Sequence, residues 1–517
     1  MPSRSTDTLF QLVKSLQKSE KRNLKLFVKR NSGSESFKSI QLFDALDKMQ
    51  EYDEALLLKK VPSVSKAQLS NTKALLYRQI LSSLRVLKED RNIDQQLHEM
   101  LDFARILYNK GLYHQTLKML EKIKDMARTH YQLTYLQQAL FFEKKIEALY
   151  ITRSLTTKAD ELTDESQKVN TTISSINSLS NLTLQLYGWY IQNGHARNEK
   201  DMKVVQAFMD LHLKTDIGDS FYEKAYLYQS YVWYAYIRLD FLMYYRYSQK
   251  WVDLFEQNPK MIEAETIMYA KGMHNLMAAH FNLLNHDKLA ATIKKFKKFA
   301  QSSLVQNIDN NRIVTYVYLY TAVINLHFLE GTFQKGLKMV PFLEEMLVKY
   351  GKYLDRHRVM VFYYKIACLY FGSGDNSKAI DYLNRIINQR DDLRTDLQCY
   401  SRLLHLIAHY ELKNYNLLEY LIKSVYRYMA KMQNLSKVEE EIFAFLRRAL
   451  KFNEKTIRPE FEKLLAKLKK YQENRLEARA FAYLDVISWL ESKISGINVQ
   501  DVIRSKYLRA KRGKYTR

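Results

Sequence analysis

The chain reads as all-α, a stack of repeated helix pairs behind a helical N-terminal module, and three observations carry that reading. Only 13 Gly and 5 Pro punctuate its 517 residues, far fewer turn residues than a sheet-rich fold needs. Leu, Lys, Ala, Glu, Gln and Met, all good helix formers, dominate its long windows. Residues 363–386, Tyr-Tyr-Lys-Ile-Ala-Cys-Leu-Tyr-Phe-Gly-Ser-Gly-Asp-Asn-Ser-Lys-Ala-Ile-Asp-Tyr-Leu-Asn-Arg-Ile, read as two helices around a tight turn, and other stretches echo them. The length exceeds what one hydrophobic core normally covers, so the chain is several domains or a quasi-one-dimensional array. The patterning divides it into a basic helical module at residues 1–92, the stack of helix pairs at 93–495, and a terminal helix with a basic tail at 496–517.

In the first part, residues 6–29 form a basic amphipathic helix with Leu9, Leu12, Val13, Leu16, Leu24, Phe27 and Val28 as its apolar members, and Ser19-Glu20 could begin a second helix there. The polar run at 31–36 breaks it. A helix over 39–49, a short one over 53–60 ended by Pro62, and a long one from Ser65 to about Lys88 follow. Ser65 and Gln68 have capping-box spacing, and Leu69, Leu76, Ile80, Leu84 and Leu87 supply the apolar face. Paired helices with short turns begin near Ile93. Residues 104–120 place Gly111 in a turn and Tyr113 two residues on; the same order returns at 330–336 and 374–379, with looser echoes at 284–290 and 413–418. Ser220 with Glu223 and Ser436 with Glu439 read as capping boxes, and Pro459 as a first-turn proline. Pro341 lies within a second helix and predicts a kink or a restart there.

These stretches resemble the tetratricopeptide repeat. That pattern asks for a small residue in the first helix, Gly in the turn, an aromatic two on and a small residue five on. In the best copy the places fall on Ala367, Gly374, Asn376 and Ala379. Small residues let the helices approach, Gly permits the turn, and the aromatic fills the gap between neighbouring pairs. Gly331 and Gly374 stand 43 residues apart and Gly374 and Lys413 39, against a regular period of about 34, and residues 132–261 fit poorly. The resemblance therefore implies an irregular, tetratricopeptide-like α-solenoid, similar to that of basic bacterial repeat proteins. It also implies a concave face lined by the first helices of the pairs, with Asn325, Lys365, Cys368 and Arg402 as partner contacts.

Lys plus Arg outnumber Asp plus Glu 81 to 56, a net charge of +25, which favours polyanions through counterion release. Residues 503–517 concentrate this in Arg504, Lys506, Arg509, Lys511, Arg512, Lys514 and Arg517 without an acid, a disordered solubilising tail or a phosphate-contacting arm that orders on binding. Residues 1–92 carry 18 basic against 10 acidic residues. There the 53–60 segment and the following helix, with Lys66, Lys73, Arg78 and Arg85, could form a DNA-reading helix-turn-helix or simply cap the array. The tyrosine-rich run 221–247 could stack on bases but is apolar nearly all round, which reads as core.

Catalytic signatures are missing from the sequence. His405 and His409 lie i, i+4, but no Glu of a zinc-protease pattern sits between them and no third ligand is spaced to join them. No nucleophile elbow, phosphate loop or dinucleotide fingerprint occurs. No metal or cofactor is expected. Two cysteines inside helices suit a reducing compartment, the first residues lack a secretory apolar run, and no window reaches the roughly 18 uninterrupted apolar residues of a membrane span, so a cytoplasmic protein is expected. The expected function is a non-enzymatic scaffold or adaptor binding a protein or peptide. The alternatives are an RNA- or ribosome-associated factor using the basic tail, and a DNA-binding regulator with a repeat sensor domain.

Overall fold

The computed structural model describes residues 7–31, 35–87, 93–149, 156–213, 217–351, 354–389, 394–432, 435–451, 456–474, 476–482 and 484–515. Among them it is all-α, with no strand. Contacts divide the chain into two units, Met1–Met100 and Leu101–Arg517. The division falls eight residues later than the compositional one at residue 92.

The first unit contains α1 (Thr8–Ser15), α2 (Lys18–Asn31), α3 (Glu35–Lys48), α4 (Glu54–Lys60), α5 (Lys66–Leu87) and the start of α6 (Ile93–Asn109). The single helix expected over 6–29 is two, because Leu16 turns extended and the Gln17 N–H donates to Glu20 Oε2 at 2.8 Å, starting a new helix there. The core is Leu9, Val13, Leu24, Val28, Leu42, Phe43, Leu46, Leu57, Leu69, Leu76 and Ile80. Asp7 caps α1 through the Phe10 N–H at 3.0 Å and pairs with Lys73 of α5 at 2.8 Å, so one carboxylate joins two helices. α5 packs chiefly on α2 and α3, and α4 chiefly on α3. Lys66, Arg78 and Arg85 remain exposed along α5.

The second unit continues with α7 (Tyr113–Thr129), α8 (Leu133–Leu149), α9 (Thr156–Asn193), α10 (Glu199–His212), α11 (Phe221–Ile237), α12 (Phe241–Gln257), α13 (Pro259–Ala264), α14 (Thr266–Asn282), α15 (His286–Ala300), α16 (Ser303–Gln306), α17 (Asp309–Glu330), α18 (Phe333–Leu337) and α19 (Val340–Tyr350). It ends with α20 (Arg356–Ser373), α21 (Asn376–Ile387), α22 (Thr395–Glu411), α23 (Tyr415–Lys431), α24 (Lys437–Ala449), α25 (Arg458–Tyr471), a 3-10 turn at Glu477–Ala482, α26 (Val486–Ser495) and α27 (Val499–Tyr515). Pro341 sits in the first turn of α19, where the missing N–H costs nothing, and the second helix restarts there as anticipated. The capping boxes expected at Ser220 and Ser436 form, at Ser65 the backbone N–H reaches Gln68 Oε1 at 3.5 Å, and Pro459 opens α25.

Most successive helices pack on one another, and α14–α17, α17–α20 and α20–α22 also touch, so first helices of neighbouring pairs meet directly. Seven turns share one construction. Gly111, Tyr131, Leu239, Leu284, Gly331, Gly374 and Lys413 are each left-handed. In each, the next N–H reaches back five residues, as in Asp375 to the Tyr370 carbonyl at 3.0 Å and Asn285 to the His280 carbonyl at 2.8 Å. This closure satisfies orphan carbonyls at the helix end. It recurs where the sequence offers Tyr, Leu or Lys instead of Gly. Phe333, two after Gly331, lies against Gly372 of α20 and fills the gap between pairs.

Two contacts span long stretches of chain. The start of α22 returns to the end of α9, where the Arg394 N–H donates to the Ile191 carbonyl at 3.2 Å. Beside it Arg394 holds Asp396 with two bonds of 2.8 and 2.9 Å, at 5% and 1% exposure. α27 packs on α17, α20 and α26, so the C-terminal segment belongs to the second unit. The tyrosine-rich α11 is buried between α9 and α12. By length and composition one helix among the described residues, α17, is apolar enough to cross a membrane; half of its apolar window is buried against neighbouring helices.

Candidate functional site

On α14, Lys271 is the single charged residue in seventeen, and on α20 Lys365 is the only one beyond Arg358. Arg358 and Lys365, seven apart, share a face of α20, two turns along. Lysines on otherwise apolar faces are costly to bury without a partner. The structure brings them around His274, one turn from Lys271.

Lys365 donates to Asn325 Oδ1 of α17 at 2.5 Å and lies over the rings of Phe281 and Phe328 at 6.0 and 5.5 Å. Lys271 lies over Tyr187 of α9 and Trp233 of α11 at 5.3 and 5.7 Å. Arg358 donates to the Tyr318 hydroxyl at 3.4 Å, and His274 stacks on the Tyr318 ring at 4.3 Å. Each cation faces π density, worth about 0.5–2 kcal/mol. Neither lysine has a carboxylate within pairing distance among the described residues; Arg358 has Asp355 at 3.7 Å, one turn away.

The electrostatics record the same crowding. Burial pushes Lys271 down to about 8, helped by Arg358, and Lys365 down to about 8. Burial takes His274 down to about 3, with Arg358, Lys365 and Lys271 adding to it, so all three cations bear on one imidazole. Its Nδ1 is buried without a hydrogen-bond partner among the described residues. Yet Lys271, His274, Arg358, Lys365 and Cys368 each keep partial solvent contact.

Of the expected partner contacts, Asn325, Lys365 and Cys368 come together. Burial pushes the Cys368 thiol up to about 12 against the opposing pull of Lys365 and Tyr364, so it is no nucleophile at neutral pH. Arg402 does not join them. Its guanidinium donates to the Gln398 side chain at 2.6 Å and the Ile387 carbonyl at 3.2 Å and lies over Tyr428, closing the C-terminal end of α21. Lys271, His274 and Arg358 were not singled out from the sequence; the signal that could have found them is a charge isolated in an apolar helix.

The basic tail is, as far as Tyr515, the helix α27. Arg504 is spent on the Glu330 carbonyl at 3.2 Å, and Lys506 on Ser488 Oγ at 2.9 Å and Glu491 at 2.6 Å. Arg509 and Lys511 are exposed. The side chains of Arg512 and Lys514, and Arg517 entirely, lie outside the described residues. His405 and His409 face each other Nε2 to Nε2 at 3.3 Å, and Asn414 donates to His409 Nδ1 at 3.0 Å. That makes them a hydrogen-bonded pair. No group of three or more His, Cys, Asp or Glu converges among the described residues. No protein-family profile matches the chain, and no curated protein is significantly similar to it.

Proposed function

We propose that the chain is a non-enzymatic scaffold, an irregular tetratricopeptide-like α-solenoid holding a protein or peptide partner against the faces of α14, α17 and α20 that carry Lys271, Asn325, Arg358 and Lys365. One observation carries the reading: two lysines with depressed pKa values and an arginine sit over aromatic rings, and no carboxylate pairs with either lysine among the described residues. Desolvated, unpaired charge opposes folding. Leucine at those positions would pack at no such cost, so the charges answer to something outside the chain. An anionic partner segment supplies the complement, and the rings supply its apolar wall. A labelled acidic peptide titrated into the full chain should bind, weaken with salt, and bind about a hundredfold worse to a Lys271→Met/Lys365→Met variant. Equal binding to parent and variant removes the reading, as does turnover of a substrate by the purified chain.

A second reading, polyanion contact, rests on the net charge of +25 together with the exposed Arg509 and Lys511. Replacing both by Ala should flatten the log–log salt dependence of single-stranded RNA retention by about 1.4 units. An unchanged slope takes α27 out of it.

A further inference from the structure

We propose that Lys271, His274, Arg358 and Lys365 form a binding site for a small ligand of the phosphate class carrying at least two phosphoryl groups. The assignment rests on the same inner faces as the scaffold reading and names what they hold. The argument begins with charge. Three cations from two helices bear on one neutral imidazole, and the carboxylate that pairs with one of them, Asp355, stands 3.7 Å from Arg358 in an i, i+3 contact. A single carboxylate would neutralise one of the three. A phosphoryl group brings close to two charges and three strong acceptor oxygens, and a diphosphate can satisfy all three cations.

Spacing points the same way. Arg358 and Lys365 are two turns apart on α20, about 10.5 Å of rise, with Arg358 held at the Tyr318 hydroxyl and Lys365 at Asn325, so two linked phosphoryl groups can take one cation each. The guanidinium of Arg358 already has one N–H on the Tyr318 hydroxyl, which fixes its fork. His274, pinned by its stack on Tyr318, has a buried Nδ1 with no partner among the described residues. As a neutral ring it can donate to a phosphoryl oxygen or accept from a protonated one. Lys365 is tethered by Asn325, a neutral acceptor that orients the ammonium without cancelling it. The partial solvent contact of the four side chains leaves a way in for a small ion.

The test is calorimetric titration of the full chain with pyrophosphate, with sodium acetate as the control anion. Saturable one-to-one binding is expected for pyrophosphate and not for acetate. Lys271→Met and Lys365→Met should each weaken it about tenfold or more, while Lys423→Ala, on the exposed face of α23, leaves it unchanged. The inner variants should unfold at the same urea concentration as the parent or a higher one, because each removes a desolvated charge; a loss of binding is then not a loss of fold. Adenosine diphosphate in place of pyrophosphate identifies the source: tighter binding assigns a nucleotide, equal binding a free diphosphate. No saturable pyrophosphate binding, or binding that the inner variants leave intact, overturns the proposal. Acidic-peptide binding that pyrophosphate does not displace would overturn it while leaving the scaffold reading standing.

Discussion

Among single residues, the second unit is organised by polar groups that cannot take a charge. Burial takes His280 and His405 down to about 4 and His274 and His357 down to about 3. Their charged neighbours are mostly cations: Lys288 beside His280, Arg402 beside His405, Arg394 and Arg358 beside His357, with Asp396 opposing. All four shifts are downward, so the folded chain refuses protons that the unfolded chain takes up once pH falls below about 6.5. The stability they contribute is complete above that pH and drains as pH falls toward 4. Each contributes a slope of about 1.4 kcal/mol per pH unit within its window. The urea midpoint should therefore hold above pH 6.5 and drop steeply between pH 6.5 and 5, before most carboxylates titrate. A flat midpoint over that range would contradict the burial of these rings.

Among elements, the turn is the recurring object and glycine is only one way to make it. Gly374 has φ +93° with open space where a Cβ would go, so Gly374→Ala should cost about 1 kcal/mol, for backbone conformation alone. Gly331 has φ +62°, but its missing Cβ is the seat of α27: a methyl there would stand 2.7 Å from the Gln500 carbonyl and collide with the Arg504 backbone. Gly331→Ala should cost at least twice as much and release α27, seen as faster amide exchange over residues 499–511. Leu284 takes the same backbone at φ +55° with its side chain 71% exposed. Leu284→Gly should stabilise by about 0.5–1 kcal/mol, since relief of left-handed strain outweighs the added chain entropy. Equal effects at Gly331 and Gly374, read from urea midpoints, would mean that α27 does not rest on that turn.

Across the whole second unit, the Arg394–Asp396 pair is the fastening between α22 and α9. Gly194 leaves room for the Asp396 side chain, Arg394 lies over Tyr190 at 4.9 Å, and His357 Nδ1 stands 3.3 Å from the guanidinium. Asp396→Asn strands a buried guanidinium and should cost about 3 kcal/mol or more. An Arg394→Met/Asp396→Leu double variant should recover much of that. Calorimetric melting of the three proteins checks this, and an additive double variant would show that the pair does not act as a unit.

How much of this could be read in advance follows the range of the physical signals. Capping boxes at Ser220 and Ser436, prolines at 341 and 459 and the glycine turns are settled within four or five residues, so they were legible in the chain alone, along with the all-α class. The same locality explains the misses. Leu239 and Tyr131 make the repeat turn without its residue signature, and the place where the terminal helix docks is set by Gly331, far upstream, on which Gln500 and Arg504 close. Of the expected inner contacts, Lys365, Asn325 and Cys368 follow from the faces of two neighbouring helices. Arg402, on the next, is turned to the end of α21 by a carbonyl that no periodicity reveals. That Lys271 meets Arg358 and Lys365 around His274, and that α22 returns to α9, emerged from the packed molecule and from nothing shorter in range. Which distant faces meet is set by the packing of all the helices between them rather than by any single local choice.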